Sequence, residues 1–594
     1  MLASVMKRSN NLRKPIAKAL LLASIGFTSA CANTPILSDS IEFLRGRGAA
    51  QESNSLFGRY LAARHAGVIR DTGSAAEYYA QALKFDPDNE VIMDRAFLLE
   101  LADGRIYAAT QRGASILTQR PEKRLPQLVL GLSDLKIGSY ASALERFEKS
   151  ADGPFTSLAS MLLSSWALQG DGRTDEALKR IDDFDKNPAF DLYRFYHRAL
   201  INDLAGRAKD ADADYLRTFE AGGSSSIRVV VAYGRFLEIN GRPEDAANVY
   251  GEFSRIAQDH PLMDFSFARL DQNLIPEPIV RNAQDGAAEA LYGLASALAQ
   301  DRTIDLPYVY LQLTLYMRDD LDVALMLLAN LNENVRRWRT AIDVYERVPQ
   351  NSGLYHHAQL QVAYNLERLD KPKRAIKHLR RMADANEQDF DALVALGDLL
   401  RGQEKFENAV ETYDQAITLV KRPAKRHWPL YYARGISLER SKRWDEAEVD
   451  FMKALELEPD QPLVLNYLGY TWIEQRRRLD EALAMIKKAV ELRPNDGYIV
   501  DSLGWAYYQL EQYELAVQFL EAAVSLRPAD PIINDHLGDA YWRTDRGIEA
   551  RFQWRRSLTL EPQEEQIPVI KLKIDHGLDA GRVTDLLRAV GRVG

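Results

Sequence analysis

The sequence predicts an all-α solenoid of stacked helix-turn-helix units. Three observations carry that prediction. First, marker residues recur with a period of 34 or 35: Gly435, Gly469, Gly504 and Gly538, then Ala447, Ala482, Ala516 and Ala550, then Pro459, Pro494, Pro528 and Pro562. Second, apolar residues between the markers fall at i, i+3, i+4 and i+7, as in Leu465, Leu468, Gly469 and Trp472. The following stretch repeats the pattern with Leu483, Ile486, Ala489 and Val490, so each unit holds two amphipathic helices. The proline closes the unit, because it cannot continue a helix. Third, 594 residues exceed what one soluble core encloses, about 250–300 residues. Hydrophobic residues at 46%, charged residues at 27%, 34 Gly and 23 Pro exclude a disordered or collagen-like chain.

The N-terminus reads as an address. Lys7, Arg8, Arg13, Lys14 and Lys18 precede a short run, Ala19 to Ala30, of apolar and small residues. That run is too short for a transmembrane helix, which needs about 20 residues. Residues 1–30 are therefore expected to be a secretory signal peptide. Its removal takes five positive charges from a chain of net charge −9 and leaves the mature protein near −14. Two readings of the cleavage site stand. Thr28-Ser29-Ala30-Cys31 resembles a bacterial lipobox, in which the cysteine is lipidated; Thr28 stands where that motif usually has Leu. Ala30-Cys31-Ala32 instead fits a plain A-x-A site that releases a soluble periplasmic protein. Cys31 is the one cysteine of the chain, which excludes an intramolecular disulfide and a CxxC redox site. Ala32 differs from the Asp of an inner-membrane retention signal, so the expected location is the periplasmic face of the outer membrane. Residues 31–55 read as a lipidated or flexible tether; twenty flexible residues have an r.m.s. reach of about 25 Å.

With the frame fixed, weaker copies of the unit emerge upstream. Ala63, Ala75, Tyr79, Ala82 and Pro87 open the array. Gly131, Ala143 and Phe147 fit well, as do Gly234, Leu237, Ala246 and Tyr250. Ala341 with Tyr345, Ala375 with Leu379, and Ala409 with Tyr413 mark three more, whereas units near Val91, Leu158 and Leu192 fit only in part. The pattern resembles the tetratricopeptide repeat (TPR), a 34-residue helix-turn-helix. Leu468-Gly469 with Trp472, Leu503-Gly504 with Tyr507, and Leu537-Gly538 with Tyr541 carry the resemblance. It implies a TPR α-solenoid of about fourteen repeats in two superhelical arms. The arms are placed at 56–258 and 286–562. His260-Pro261 and Ile275-Pro276-Glu277-Pro278 interrupt the period, so 259–285 is expected to be an irregular junction between the arms; the alternative is a single diverged repeat. Residues 563–594 should form a capping helix and tail.

No motif for catalysis appears: HExxH, GxxxxGK[ST], GxSxG and CxxC are all missing. His356 and His357 are adjacent, and neighbours on a helix point about 100° apart, so they do not share a metal. Asp210, Asp212 and Asp214 read as a solvated helix face. The stretch from Gly170 to Glu176 lacks the spaced acids of a calcium loop and reads as a turn before a helix. The chain is thus expected to be non-enzymatic, with no cofactor and no metal. Its acidity and its export signal also argue against a nucleic-acid partner. Basic residues concentrate in two clusters: Lys371, Lys373, Arg374, Lys377, His378, Arg380 and Arg381, then Lys421, Arg422, Lys425, Arg426 and His427. They fit either an acidic partner or solvated helix faces.

The TPR resemblance implies a concave protein-binding groove lined by the first helix of each unit. Carried over by position, it places Asn466, Tyr470, Ile473, Tyr498, Asp501, Trp505, Tyr508, Gln509, Asp535, Asp539, Trp542 and Arg543 in that groove. The same positions also fit packing of Trp505 and Tyr508 against the next repeat. Asp496-Gly497-Tyr498-Ile499-Val500-Asp501-Ser502-Leu503-Gly504-Trp505 and Asp535-His536-Leu537-Gly538-Asp539-Ala540-Tyr541-Trp542 resemble a bacterial outer-membrane TPR lipoprotein family. That family includes the lipoprotein partner of a periplasmic carboxy-terminal processing protease. The resemblance implies an adaptor that brings substrates, such as cell-wall hydrolases, to the protease. A scaffold for outer-membrane assembly, pilus or polysaccharide export is the alternative.

Overall fold

A computed structural model describes residues 55–185, 187–300 and 305–578. The expected signal peptide, Cys31, the tether up to residue 54 and the tail from 579 lie outside the described residues. Among the described residues the chain forms thirty α-helices, three short 3-10 turns and no strand. No described helix is long and apolar enough to cross a membrane. The chain divides into two compact units, one ending at Asp103 and one beginning at Gly104.

The first unit holds helices Leu56–Val68, Thr72–Ala82 and Glu90–Ala102. Each begins on a side-chain cap that satisfies an otherwise orphaned amide. Ser55 accepts from Gly58 N at 3.2 Å, Asp71 from Ser74 N at 3.0 Å and Asn89 from Ile92 N at 3.1 Å. Ala63, Ala75 and Ala82 are buried, and Tyr60 meets Tyr79 edge-on at 6.0 Å.

The second unit repeats one packing rule. The small residue of the first helix is the floor on which a large residue of the second helix rests. A Cβ on Gly234 would come within 2.2 Å of the Tyr250 ring, and one on Gly538 within 2.5 Å of Trp554. In both pairs the residues lie sixteen apart, and the same offset joins Gly131 to Phe147 and Gly435 to Phe451. Neither helix could approach so closely with a side chain between them.

The turn after each first helix is also uniform. Gly172 has φ +79°, its amide donates to Gln169 O at 3.1 Å, and the next amide, Arg173 N, reaches Leu168 O at 2.9 Å. This left-handed closure satisfies the last carbonyls of the helix. Gly104, Gly138, Gly206 and Gly241 share the positive φ. In the C-terminal half the same position is held by Arg336, Asp370, Glu404, Lys442, Glu511 and Asp545, also at positive φ.

At the expected junction, Pro261 does not exclude a helix. It starts one, Pro261–Asp271, at the first-turn position that tolerates proline. His260 Nδ1 accepts from Leu262 N at 3.2 Å. An irregular stretch through Pro276 and Pro278 follows. The next pair, Ala283–Gln300 and Asp305–Met317, turns back onto first helices Arg124–Lys136, Pro154–Gly170 and Asp191–Leu204. A Cβ on Gly286 would lie 2.2 Å from Trp166. Tyr310 meets Phe155 edge-on at 5.7 Å, and Tyr193 Oη donates to Gly293 O at 3.5 Å. Glu289, 1% exposed, accepts from Arg228 Nε at 2.8 Å and from Tyr196 Oη at 3.3 Å.

The expected cap is helix Gln566–His576, laid against Gly547–Thr559. The run 210–214 is not a wholly solvated face: Asp210 is exposed, and Asp212 is partly exposed. Asp214 is buried and accepts from Asn202 Nδ2 at 3.0 Å and Arg198 Nε at 3.3 Å. Asp212 pairs with Arg242 at 2.8 Å. Residues two apart face different ways, so one acid of the three points inward.

Candidate partner-binding site

The expected groove residues divide by exposure. Tyr498 is 50% exposed, and the Arg527 guanidinium sits 4.0 Å from its ring centre. Arg543 is exposed; Asn466, Tyr470, Tyr508, Gln509 and Trp542 are half-buried. The Asn466 side-chain oxygen is buried and accepts no hydrogen bond.

Ile473, Asp501, Trp505, Asp535 and Asp539 are buried and belong to the packing between repeats, not to an open surface. Trp505 stacks on His536 of the next first helix at 4.0 Å and on Tyr508 at 4.7 Å. Its Nε1 donates to Glu474 Oε1 at 2.5 Å. Asp501 lies 3.0 Å from His536 Nδ1. Lys573 of the cap helix is fully buried and donates to both Asp535 oxygens at 3.0 Å and to Asp539 Oδ2 at 2.7 Å. Trp554 Nε1 donates to Asp539 Oδ1 at 2.9 Å. Burial raises the Asp539 pKa, Lys573 opposes that rise and Asp535 adds to it. The reason these residues turn inward is tertiary: neighbouring first helices and the cap close over positions that a lone repeat would leave open.

The accessible space lies elsewhere. A cleft of about 1670 Å³ runs between helix Pro261–Asp271, helix Tyr355–Arg368 and segments 386–391 and 418–427. Phe265, Leu360, Phe390 and Leu419 supply apolar walls; Asp264, Asp391, Lys421 and Arg422 supply charge. Arg426 Nη1 pairs with Asp259 Oδ1 at 2.8 Å across 167 residues of chain and so ties two walls together. Among the described residues, Lys421 and Arg422 form no ion pair.

His356 and His357 both line this cleft but have different partners, as neighbours on a helix must. His356 Nε2 lies 3.4 Å from Asp389 and 3.8 Å from Asp391. The carboxylate of Asp391 raises its pKa, burial opposes the rise and Asp389 reinforces it. Burial, with His356 beside it, lowers His357. Burial also lowers His427, and Arg426 adds to that. No group of three or more metal-ligating side chains exists among the described residues.

The second basic cluster of the sequence thus has a place on the cleft wall. The first, on helix Pro372–Ala385, exposes Lys373, Arg374, Lys377, Arg380 and Arg381 to solvent. Sequence reasoning missed the cleft because its walls come from four separate stretches of chain. The irregular 259–285 segment was the available signal: it delivers the helix that closes one side.

Residues 361–426 match a model of the tetratricopeptide repeat, as do residues 428–461; residues 504–545 match a TPR repeat model. No curated protein matches the chain. Among solved structures it is similar to YrrB, a TPR protein with an unusual peptide-binding site, at 20% identity and TM-score 0.26 over 32% of this chain and 97% of that one. It is similar to yeast Tom70 at 12% identity and TM-score 0.32, over 90% of this chain and 97% of that one. Pseudomonas aeruginosa pilF aligns at 19% identity and TM-score 0.28, over 34% of this chain and 94% of that one. The matched segments are tetratricopeptide repeats, and the chain is an all-α solenoid built on them.

Proposed function

We propose that the chain is a non-enzymatic scaffold of the bacterial envelope that binds protein partners, and that the cleft takes an extended segment of one of them. The cleft is the observation that carries this reading. Its volume of about 1670 Å³ exceeds the roughly 300–1,000 Å³ of small-molecule sites. Apolar walls and a charged rim match the anatomy of protein interfaces. Tyr498 and Arg543 add an exposed surface nearer the C-terminus.

The finer reading rests on the sequence resemblance. It is an outer-membrane lipoprotein, anchored through Cys31, that brings substrates such as cell-wall hydrolases to a periplasmic carboxy-terminal processing protease. Two arms meeting at 259–285 would hold two clients, and tethering both raises their effective concentration. The alternative scaffold serves outer-membrane assembly, pilus or polysaccharide export.

Crosslinking pull-down of the tagged protein from its native envelope, read by mass spectrometry, separates the two. A processing protease with wall hydrolases supports the adaptor; assembly or export components overturn it. Lys421→Glu with Arg422→Glu should weaken capture at unchanged helicity, and unchanged capture removes the cleft from the site. Radiolabelled palmitate should label the wild type and not Cys31→Ser; an unlabelled wild type overturns the anchor.

A further inference from the structure

A second, smaller cavity of about 280 Å³ lies between helix Ile227–Ile239, helix Pro261–Asp271 and the segments around Ile279, Arg318 and Ser352. Its wall carries Arg228, Arg235, Arg269, Arg281 and Arg318. Four of these guanidiniums have a carboxylate in contact. Arg228 is held by Glu289 with its Nε at 2.8 Å, and Arg269 by Glu238 at 2.6 Å. Arg281 pairs with Asp285 at 2.8 Å and Arg318 with Asp320 at 2.9 Å. Arg235 is the exception. Its Nε is buried and donates to nothing, and no carboxylate pairs with it among the described residues.

An arginine Nε buried without an acceptor is costly, and a native fold that keeps one calls for an explanation such as a bound ion. Burial and the neighbouring Arg228 and Arg269 lower the Arg235 pKa to about 10, against a weaker pull from Tyr250 and Asp322. Asp322, on the same wall, is occupied: it accepts from Ser352 Oγ at 2.6 Å and from Val323 N at 2.7 Å.

We propose that this cavity is a binding site for a carboxylate group, received by the Arg235 guanidinium. The planar fork of arginine matches the two oxygens of a carboxylate. Asp322 and Glu277 on the same wall favour a monoanion over a phosphate dianion, whose second charge would face both acids. The carboxylate belongs either to a free small acid or to the end of a polypeptide. The proposal is independent of the cleft, which shares helix Pro261–Asp271 and Phe265 with this cavity but none of its arginines.

The test uses the full chain at fixed ionic strength, with melting temperature and titration calorimetry as readouts. The probes are sodium acetate, N-acetyl-alanine, N-acetyl-alanine amide and phosphate, each against chloride. Acetate and N-acetyl-alanine should raise the melting temperature, and the amide should not. Arg235→Met should fold, melt no lower than wild type in chloride, and lose the carboxylate shift. Should Arg235→Met not fold, Arg235→Lys keeps the charge without the fork and should weaken binding about tenfold or more. N-acetyl-alanine binding tighter than acetate identifies a polypeptide terminus; the reverse identifies a free acid. No shift with either carboxylate, an equal shift in Arg235→Met, undiminished binding in Arg235→Lys, or a larger shift with phosphate overturns the proposal.

Discussion

In the N-terminal half of the long unit, first helices 124–136, 154–170 and 191–204 are covered by the chain's own helices 283–300 and 305–317. In the C-terminal half, first helices 497–509 and 531–543 are closed by their neighbours and by a charged network ending on Lys573. The first solution is mostly apolar: Leu158 to Leu168 are buried without interruption, and Gly286 lies flat on Trp166. The second depends on a buried lysine that two aspartates neutralise. The turns differ as well, with glycine at the left-handed position in the first half and ordinary residues there in the second. One repeat geometry thus accepts different residues, provided that steric space and charge are satisfied. Between the two closed ends the cleft remains open.

Lys573→Met attacks the charged closure and should have the largest effect. It leaves Asp535 and Asp539 buried without their cation, which costs about 3–5 kcal/mol. Chemical denaturation reads the loss. Adding Asp535→Asn and Asp539→Asn should recover part of it, and no recovery would show that Lys573 matters through packing alone.

Gly286→Val attacks the apolar closure. Its Cβ would meet the fully buried Trp166 ring at 2.2 Å, an overpacking that costs up to about 3 kcal/mol. Limited proteolysis should cut the helices 283–300 and 305–317 earlier than in wild type. Unchanged stability would mean that the pair 283–317 docks loosely.

The N-terminal half should also be sensitive to acid through His197. That ring is buried and accepts a hydrogen bond from Trp166 Nε1 on Nδ1 at 3.0 Å. Burial lowers its pKa to about 3 from the ordinary 6.5. Between those values the unfolded chain binds a proton that the folded chain refuses, so stability falls as pH falls through this window. The expected slope from His197 is about 1.4 kcal/mol per pH unit below 6.5. His197→Gln keeps an acceptor for Trp166 and should flatten the slope between pH 5.5 and 4.5 by about that amount; an unchanged slope would assign the acid response to other groups.

The turns should give the smallest effects and the sharpest comparison. Gly172 has open space where a Cβ would stand, so Gly172→Ala isolates backbone strain and should cost about 1 kcal/mol. Glu404→Gly, at φ +56°, should have the opposite sign, a gain of at most about 1 kcal/mol. Two losses would show that Glu404 makes compensating contacts.

Much of the architecture was legible. The Gly, Ala and Pro spacings located the C-terminal repeats, because each marks a steric requirement of one unit: close helix approach or helix termination. The N-terminal half carried a signal that went unread, the glycines at 104, 138, 172, 206 and 241, again 34 or 35 apart. The unit near Leu158 was hard to frame because a helix buried on every side loses the amphipathic stripe. The groove was legible only in part. Tyr498 and Arg543 are exposed as the position rule implies, whereas Asp501, Trp505, Asp535 and Asp539 are not.

The sequence by itself determined the repeating element: its two helices, its length, its close-approach glycines and its proline stop. These are local steric facts, complete within about 34 residues. Only the tertiary structure decided which faces stay open. Helices 283–300 and 305–317 cover a surface formed by helices between 124 and 204, Lys573 reaches Asp535 across 38 residues, and Arg426 reaches Asp259 across 167. Burial depends on what arrives from elsewhere in the chain, and a residue pattern within one repeat does not encode that arrival.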